Sequence, residues 1–522
     1  MNRRFFLSLF LLAGSLGAAD SHVWKVAGPP PESWQRDRVA DLASHRKAVM
    51  EQLGNKAILI LHAAEPRNYA GDVDWPYRQE NDFFYLTGLT QAGSTLVLIP
   101  GAEKIHEILF MPPSDPAQEN WTGHILTAEE GRSISGIQDV WDARSFNSFL
   151  TTLIPQAKDL LAKPPGRAGR GDTQAPPAIP VDVGREFARA INAVNDKSAE
   201  LYMLGGRSPE YRREVDFTGR LAAAYPGLTI KDPEKIFDTL RTVKSPREID
   251  LLKHAVDITA EAFQRVYALG VPDTPEYEIQ AQFEFTFLRR NAHWGYPCIV
   301  ASGVNATTLH YETNRDTMKA GDLLLMDDAA EFDGYSVDVT RTIPVSGKYS
   351  GEQAEIYRLV WEGQQAGIRA ALPGKTEDDI TAAASKVMAE GLVKLGLMTD
   401  VNSKRQLAVW FNHGSSHGIG LNVHDPGRHE FQPGMAITME PGIYVRPDAL
   451  DNLPRTPENQ KFAAAIQTAF EKYKGIGVRI EDDVLITAGQ PQVLSAAIPS
   501  RLEEVEASIA RLRKALKSTP LP

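Results

Sequence analysis

The sequence predicts a protein of the α/β class with two domains. Its 522 residues exceed what a single hydrophobic core usually supports. Short apolar runs typical of strands alternate with helical patterns in the first half, and glycine-punctuated strands mix with long helices in the second. The composition, with 43% hydrophobic and 24% charged residues, is that of a globular protein. We expect one domain over residues 23–230 and another over residues 231–522.

Three β-prone runs mark the first predicted domain: Ala57–Leu61, Ser94–Ile99 and Glu107–Met111. Helical patterns flank these runs, which is the arrangement of an α/β domain. The stretch 164–180 is rich in glycine, proline and alanine, so we expect an exposed loop there.

Helical signals dominate the start of the second predicted domain. Ser245 is followed by Pro-Arg-Glu, the pattern of an N-cap with a capping glutamate, and a long helix is expected from there to about Leu269. Further helices are predicted over residues 351–372, 377–397 and 461–472. An amphipathic pattern over residues 501–517 predicts a terminal helix that covers the domain surface.

The amino terminus has the layout of a secretory signal peptide. Arg3 and Arg4 precede an apolar run that is too short for a comfortable membrane span, and small residues follow before Asp20. Paired arginines also occur in twin-arginine export signals. We therefore predict a signal peptide over residues 1–19, a mature chain that begins near Ala19 or Asp20, and a periplasmic or extracellular location.

Charge and cysteine content exclude several classes of function. The formal net charge of -11, without dense runs of lysine or arginine, argues against a nucleic acid partner and stable membrane insertion. A small-molecule or peptide substrate is the remaining expectation. Cys298 is the only cysteine, so the chain has no intrachain disulfide, and its apolar neighbours predict a thiol packed in a buried strand.

Two aspartates mark the first candidate site. Asp327 ends one β-prone piece and Asp338 lies on the next, with a turn expected at Asp333-Gly334 between them. A hairpin of this length brings the two carboxylates together. Adjacent carboxylates repel one another, so they either hold a cation or have raised pKa values.

Histidines and two further acids extend this candidate site. His413, His417 and His424 fall within twelve residues in a glycine-rich stretch, and imidazole is a common ligand and proton carrier. Glu440 ends an apolar strand just before Pro-Gly. Glu481 lies between apolar strand residues, and strand alternation places it on the same face as Arg479.

In this order and on these local motifs, the acids and His417 resemble the metal ligands of the pita-bread metallopeptidases, which include methionine aminopeptidase, aminopeptidase P and prolidase. The resemblance spans residues 236–487 and implies a C-terminal pita-bread domain whose curved, mostly antiparallel sheet is flanked by helices. It also implies two divalent ions, with manganese preferred, that activate a water between them. The implied ligands are Asp327, Asp338, His417, Glu440 and Glu481, of which Asp338 and Glu481 bridge both ions.

The same resemblance implies roles around the ions. Glu440 is expected to take a proton from the water and deliver it to the leaving nitrogen. His310, in the segment Asn305–Tyr311, and His424 are expected to hold the substrate and stabilise the tetrahedral intermediate. His413 either lines the same pocket or supports it, and Arg479 is the cation expected near the substrate.

The N-terminal half distinguishes branches of the family. Tyr77–Gly88 resembles the N-terminal domain of aminopeptidase P, which removes the residue before proline from peptides of varied length. Prolidase cuts only Xaa-Pro dipeptides and needs a cation for the carboxylate, and Arg428 lies where some prolidases place one. Aminopeptidase P activity is the favoured prediction, because an exported enzyme meets longer peptides, and prolidase is the alternative.

A less favoured alternative is a protein of the same fold without metals. Creatinase and several pita-bread binding modules are of this kind, but they lose ligand residues that this sequence retains. The resemblance also implies a homo-oligomer, either a dimer or a tetramer.

Overall fold

The structure is a computed structural model that describes residues 23–161, 177–205, 211–427 and 430–521. The predicted signal peptide, Arg428 and most of the predicted loop at 164–180 lie outside the described residues. Among the described helices, none combines the length and the apolar character that crossing a membrane requires.

The first half combines a six-stranded mixed sheet, a separate two-stranded sheet formed by its second and third strands, and several helices. Its strands are β1 (Ala57–His62), β2 (Asn68–Ala70), β3 (Val73–Asp74), β4 (Thr95–Leu98), β5 (Glu107–Met111), β6 (Val140–Asp142), β7 (Glu200–Tyr202) and β8 (Thr229–Lys231). Its helices are α1 (Ser33–Arg36), α2 (Arg38–Leu53), α3 (Asn81–Thr87), α4 (Pro116–Thr122), α5 (Ala128–Ser135), α6 (Phe146–Leu153), α7 (Lys158–Leu161), α8 (Val183–Glu186), α9 (Ala188–Asn195) and α10 (Arg212–Ala224). The three predicted strands are confirmed as β1, β4 and β5.

Strand β1 is central to this sheet, whose order is β6-β5-β4-β1-β7-β8. It runs antiparallel to β4, with Leu59 opposite Leu98, and parallel to β7. Its continuous apolar run is explained by burial on both faces, because Ile58 and Ile60 pack into a core within this half. Leu59 and Leu61 belong to a larger core that continues into the second half. The two halves therefore share buried apolar side chains.

The second half combines long helices with short antiparallel strands. Its helices are α11 (Glu234–Thr242), α12 (Pro246–Leu269), α13 (Glu276–Arg289), α14 (Gly351–Ala370), α15 (Glu377–Lys394), α16 (Lys404–Leu407), α17 (Pro457–Tyr473) and α18 (Leu502–Leu516). Its strands are β9 (His293–Trp294), β10 (Ile299–Ser302), β11 (Leu323–Asp327), β12 (Ala330–Phe332), β13 (Tyr335–Ser336), β14 (Thr340–Pro344), β15 (Ala436–Met439), β16 (Gly442–Tyr444), β17 (Gly477–Arg479), β18 (Asp482–Leu485) and β19 (Gln492–Val493).

Local sequence signals account for the helix boundaries. Ser245 accepts a hydrogen bond from the backbone N–H of Glu248, whose side chain accepts one from the N–H of Ser245, so the predicted capping box is confirmed. Helix α12 then runs to Leu269 as expected and is buried along most of its length. Helices α14, α15, α17 and α18 confirm the other four helical predictions to within a few residues, and α18 packs against α12.

The strands of the second half pair in antiparallel fashion within small sheets. One has the order β10-β11-β14, another β13-β12-β9, another β15-β18-β19, and β16 pairs with β17. Asp333 and Gly334 have φ values of 50° and 83°, so the predicted turn between β12 and β13 is confirmed. The mostly antiparallel sheet expected for this half is thus observed.

Candidate active site

The predicted acidic ligands lie where strands are interrupted, and strand register explains why they meet. Residue Met439 of β15 pairs with Asp482 of β18, and Gly442 of β16 pairs with Arg479 of β17. On both strands the pairing is interrupted between these two pairs, so Glu440 and Glu481 face each other in the unpaired interval. The expectation that Glu481 lies on a strand is therefore wrong. Glu481 lies one residue before β18, where the chain is outside the strand and the carboxylate turns inward.

Asp327 and Asp338 are brought together in a similar way. Asp327 is the last residue of β11 and pairs with Thr340, the first residue of β14. Asp338 lies between β13 and β14 and not on a strand as expected, because the chain passes there from one small sheet to another. The backbone N–H of Glu481 donates to the carbonyl of Thr340 at 3.0 Å, which joins this pair of acids to the other pair.

Carboxylate and imidazole atoms of the five predicted ligands come close enough to hold cations. In two groups of three residues, each residue offers one potential ligand atom, and the three atoms lie within 4.8 Å of one another. Asp327, Asp338 and Glu481 form one group, and His417, Glu440 and Glu481 form the other. Both groups contain Glu481. The arrangement offers two adjacent positions for ions, with Glu481 shared between them. Asp338, His417 and His424 form a third group of this kind.

His417 belongs to a loop, residues 413–425, that we call the histidine loop. Its backbone N–H donates to Thr438 Oγ1 at 3.1 Å, and its carbonyl accepts from the N–H of Thr438 at 2.9 Å. The Nδ1–H donates to the carbonyl of Gly418 at 3.0 Å, which turns Nε2 towards Asp338 and Glu440. The imidazole is thus held in the tautomer that a metal ligand requires.

Sequence reasoning missed two side chains that hold the carboxylates, Tyr296 and Thr340, and a third, Tyr444, that holds Arg479. The hydroxyl of Tyr296 lies 2.7 Å from Asp327 Oδ1 and 2.5 Å from Asp338 Oδ1. Thr340 Oγ1 donates to Glu481 Oε2 at 2.7 Å. The hydroxyl of Tyr444 accepts from Arg479 Nη1 at 2.9 Å. A single sequence carries no signal for these contacts, because each joins residues far apart in the chain.

Arg479 lies beneath the carboxylates and not in the open cleft. It is 3% exposed, and Nη2 donates to Asp327 Oδ2 at 2.6 Å while Nε donates to Thr340 Oγ1 at 3.1 Å. These hydrogen bonds engage the guanidinium with side chains of the protein itself. The geometry favours a role in orienting Asp327 over the direct substrate contact expected from the sequence.

The charge of the acidic cluster is unbalanced without cations. Burial, reinforced by the charges of Asp338 and Glu440, raises the pKa of Glu481 well above its ordinary value. Burial and the charge of Asp327 likewise raise the pKa of Asp338. Among the described residues, Glu481 Oε1 is buried without a hydrogen-bond partner. An orphaned carboxylate oxygen in a set of hard oxygen and imidazole donors fits a site for divalent cations.

The other predicted histidines border this cluster. The ring of His424 lies 4.0 Å from that of His417, and His413 Nε2 lies 2.9 Å from the Tyr444 hydroxyl. Burial and the charge of Arg479 lower the pKa of His413 to about 4, and burial with the charge of His417 lowers that of His424 to about 4. Both rings are neutral at pH 7. His310 is exposed and lies close enough to contribute to the lowered pKa values of His413 and His424.

Cys298 does not take part in this cluster. It is buried next to β10, as expected, and its Sγ donates to Asp328 Oδ2. Burial and the neighbouring carboxylate raise the pKa of the thiol well above its ordinary value, so it is a poor nucleophile.

Comparison with known proteins assigns both halves of the chain. Residues 250–488 match metallopeptidase family M24, and residues 42–161 match the aminopeptidase P N-terminal domain. The Xaa-Pro aminopeptidase of Escherichia coli strain K12 is 32% identical over 481 residues, which cover 90% of this chain and 97% of that protein. Human Xaa-Pro aminopeptidase 3 is 28% identical, with 88% of this chain and 82% of that protein covered.

Solved structures agree with the sequence comparisons. Aminopeptidase P from E. coli with the inhibitor Pro-Leu superposes with a TM-score of 0.74 at 30% identity, covering 91% of this chain and 99% of that one. An aminopeptidase of Pseudomonas aeruginosa gives 0.72 at 30% identity, with coverage of 91% and 98%. A zinc-substituted form of the E. coli enzyme in complex with product gives 0.73 at 30% identity, with coverage of 91% and 98%. These matches confirm the predicted fold class, and the chain belongs to metallopeptidase family M24 and, within it, to the Xaa-Pro aminopeptidases.

Proposed function

We propose that the protein is an exported aminopeptidase that uses two divalent metal ions to hydrolyse the bond between an N-terminal residue and a following proline. The observation that carries the dinuclear part is the sharing of Glu481 between two groups of potential ligands. The family relationship supports the Xaa-Pro specificity. Hard carboxylate ligation favours manganese, and the relative solved in a zinc-substituted form supports a site that accepts divalent ions.

The proposed ligands are those predicted from the sequence. Asp327, Asp338 and Glu481 would hold one ion, and His417, Glu440 and Glu481 the other, with Asp338 Oδ2 only 3.4 Å from His417 Nε2 and so able to reach both. Bound ions would supply Lewis acidity and lower the pKa of a water, so that it can lose a proton and attack the peptide carbonyl near neutral pH.

The protein side chains would then move protons and hold the substrate. Hydrolysis removes one proton from the attacking water and adds one to the proline nitrogen as the C–N bond breaks. Glu440 is the proposed carrier for both transfers, because its carboxylate is one of the proposed ligands and lies 3.6 Å from His417 Nε2. The imidazoles of His310 and His424 would donate hydrogen bonds to the substrate and to the tetrahedral intermediate. His413, bonded to Tyr444, would line the cleft.

Manganese binding should release protons at pH 7. Burial alone would lower the pKa of His417, but the hydrogen bond and charge of Asp338, with the charge of Glu440, raise it to about 9. Because the ligand must be neutral, an ion displaces that proton, and affinity should increase as the pH increases from about 6 to about 8. Titration calorimetry in two buffers of different ionisation enthalpy measures the protons released. A binding enthalpy independent of buffer, with constant affinity over this range, would contradict the prediction.

Peptide length distinguishes the aminopeptidase from the prolidase alternative. The manganese-loaded enzyme is offered Ala-Pro and Ala-Pro-Ala at equal concentration, with Ala-Ala-Ala as a control for the proline requirement. We expect the Ala-Pro bond of the tripeptide to be cleaved and Ala-Ala-Ala to remain intact. Cleavage of the dipeptide alone would identify a prolidase. In that case Arg428→Met should weaken dipeptide cleavage, whereas in an aminopeptidase it should leave tripeptide cleavage unchanged.

The proposal of export rests on the paired arginines and apolar run of residues 1–19. A cut near Ala19 would leave the contacts of the first described residues with the catalytic half intact. Arg511 Nη1 donates to the carbonyl of Val23 at 2.8 Å, and the N–H of Ala27 donates to Glu261 Oε2 at 2.8 Å. N-terminal sequencing of the exported protein should begin at Ala19 or Asp20, and an intact Met1 would refute export by cleavage.

A further inference from the structure

The Tyr77–Gly88 motif contacts the histidine loop directly. Arg78 Nη2 donates to the carbonyl of Leu421 at 2.7 Å, and Asn81 Nδ2 donates to Asn422 Oδ1 at 2.7 Å. Phe84 and Leu421 both lie beside Gly334, where an added Cβ would be within 3.4 Å of each. Residues at and just before the start of α3 therefore meet the loop two to three residues before His424.

A buried chain of charges joins the same motif to the end of the loop. Asp82 Oδ1 accepts from Arg241 Nη1 at 2.8 Å, and Arg241 Nη2 donates to Asp425 Oδ1. Lys244 Nζ donates to Asp425 Oδ2 at 3.0 Å. Each of these four side chains is at most 6% exposed. Arg241 is therefore shared between an acid of the N-terminal half and an acid of the histidine loop.

Asp425 fixes the conformation of the loop between His417 and His424. Its N–H donates to the carbonyl of Gly418 at 2.8 Å, and its Oδ1 also accepts from the N–H of Asn422 at 3.2 Å. The approach at Gly418 is so close that a Cβ there would lie 2.5 Å from the carbonyl oxygen of Pro426. Because Asp425 directly follows His424, a shift of the Asp425 backbone, which its carboxylate holds in place, moves the His424 backbone.

We propose that Asp82, acting through Arg241 and Asp425, is a positioning residue for His424, so that the N-terminal domain holds part of the catalytic site. Arg78 and Asn81 hold the same loop at Leu421 and Asn422. The inference rests on the proposed function only for the role of His424, since the contacts themselves are independent of it. Buried charges that share a partner are strongly coupled, so loss of one acid redirects Arg241 and displaces the loop.

The test compares Asp82→Ala with the wild type on the tripeptide Ala-Pro-Ala. Burial beside Glu80 raises the pKa of Asp82 to about 8, so alanine is preferred to asparagine because it removes the acceptor in either protonation state. We expect kcat to fall about 10- to 100-fold while KM and manganese content change little, because misplacement of a catalytic group costs rate more than binding. Hydrogen exchange at residues 418–425 should become faster. Asn81→Ala should give a smaller change in the same direction.

Arg38→Met is the matched control. Arg38 also joins the two halves, through a bond from Nη2 to Asp333 Oδ1 at 3.0 Å, but it does not contact the histidine loop. It should leave kcat and the exchange of residues 418–425 unchanged. In the background of His424→Ala, Asp82→Ala should cause little further loss of kcat.

Two results would overturn the inference: an unchanged kcat in Asp82→Ala, or unchanged exchange at residues 418–425. Equal losses of kcat in Asp82→Ala and Arg38→Met would also overturn it, because they would indicate a general effect of domain contact. Failure of the wild type to cleave Xaa-Pro peptides would instead count against the proposed function, and the exchange measurement would still decide whether Asp82 holds the loop.

Discussion

Asp338→Asn should lower kcat/KM by about a thousandfold or more and reduce the manganese content of the purified protein. Asp338 belongs to the ligand group of one proposed ion, and its Oδ2 lies 3.4 Å from His417 Nε2 in the group of the other, so loss of its negative charge should weaken both proposed ion positions at once. The substitution keeps the shape of the side chain. Activity assays on Ala-Pro-Ala, together with elemental analysis for manganese, measure both effects.

The same substitution should stabilise the metal-free protein, which separates a functional role from a structural one. Burial and the charge of Asp327 disfavour the ionised form of Asp338, so asparagine relieves repulsion between carboxylates. We expect a higher Tm than wild type after chelation. Asp451→Asn, on an exposed turn, is the control for the chemical change and should behave as wild type. Full peptidase activity in Asp338→Asn would contradict the proposed site.

Arg341→Met should destabilise the protein by about 3–5 kcal/mol, the usual cost of removing one partner from a buried ion pair. Arg341 is fully buried, and Nη2 donates to Asp482 Oδ1 at 2.6 Å. The other bonds of the guanidinium go to four backbone carbonyls, namely those of Thr340, Glu481, Ile498 and Pro499. Methionine fills much of the volume but removes the charged partner of Asp482, which keeps Ser495 and Gln364 as donors, and removes the arginine donors of these carbonyls.

Chemical denaturation followed by circular dichroism measures this loss, and elemental analysis should show less bound manganese because Arg341 fixes the backbone of Glu481. Arg358→Met is the matched control. Its ion pair with Glu503 is more than half exposed on both sides, so its removal should cost no more than about 1 kcal/mol. Equal free energies of unfolding of Arg341→Met and Arg358→Met would show that Arg341 does not stabilise the structure around the site.

Local patterns in the sequence were enough to predict the elements that carry the site. Asp327, at the end of a β-prone run, and the turn at Asp333-Gly334 follow from apolar patterning and turn chemistry, both of which act between near neighbours. The capping box at Ser245 is likewise local. The order of the candidate ligands was informative because it carried a family resemblance that the comparisons then confirmed.

Contacts across long stretches of chain could not be predicted. Tyr296 reaches the aspartates, and Asp82 reaches Arg241, only because the sheets and the two halves come together in three dimensions. Arg479 and Glu481 do lie close together, since both bond to Thr340, although Glu481 is not on the strand that the alternation assumed. The sequence could not show that Asp327 pairs with the guanidinium. Alternation indicates a face of a strand, whereas a partner is determined by the tertiary fold.

The most direct test of the dinuclear site is anomalous diffraction from crystals of the manganese-loaded protein. We expect two manganese peaks about 3.5–4 Å apart, one beside Asp327 and one beside His417, with Glu481 in contact with both. A single peak, or manganese bound away from these residues, would contradict it.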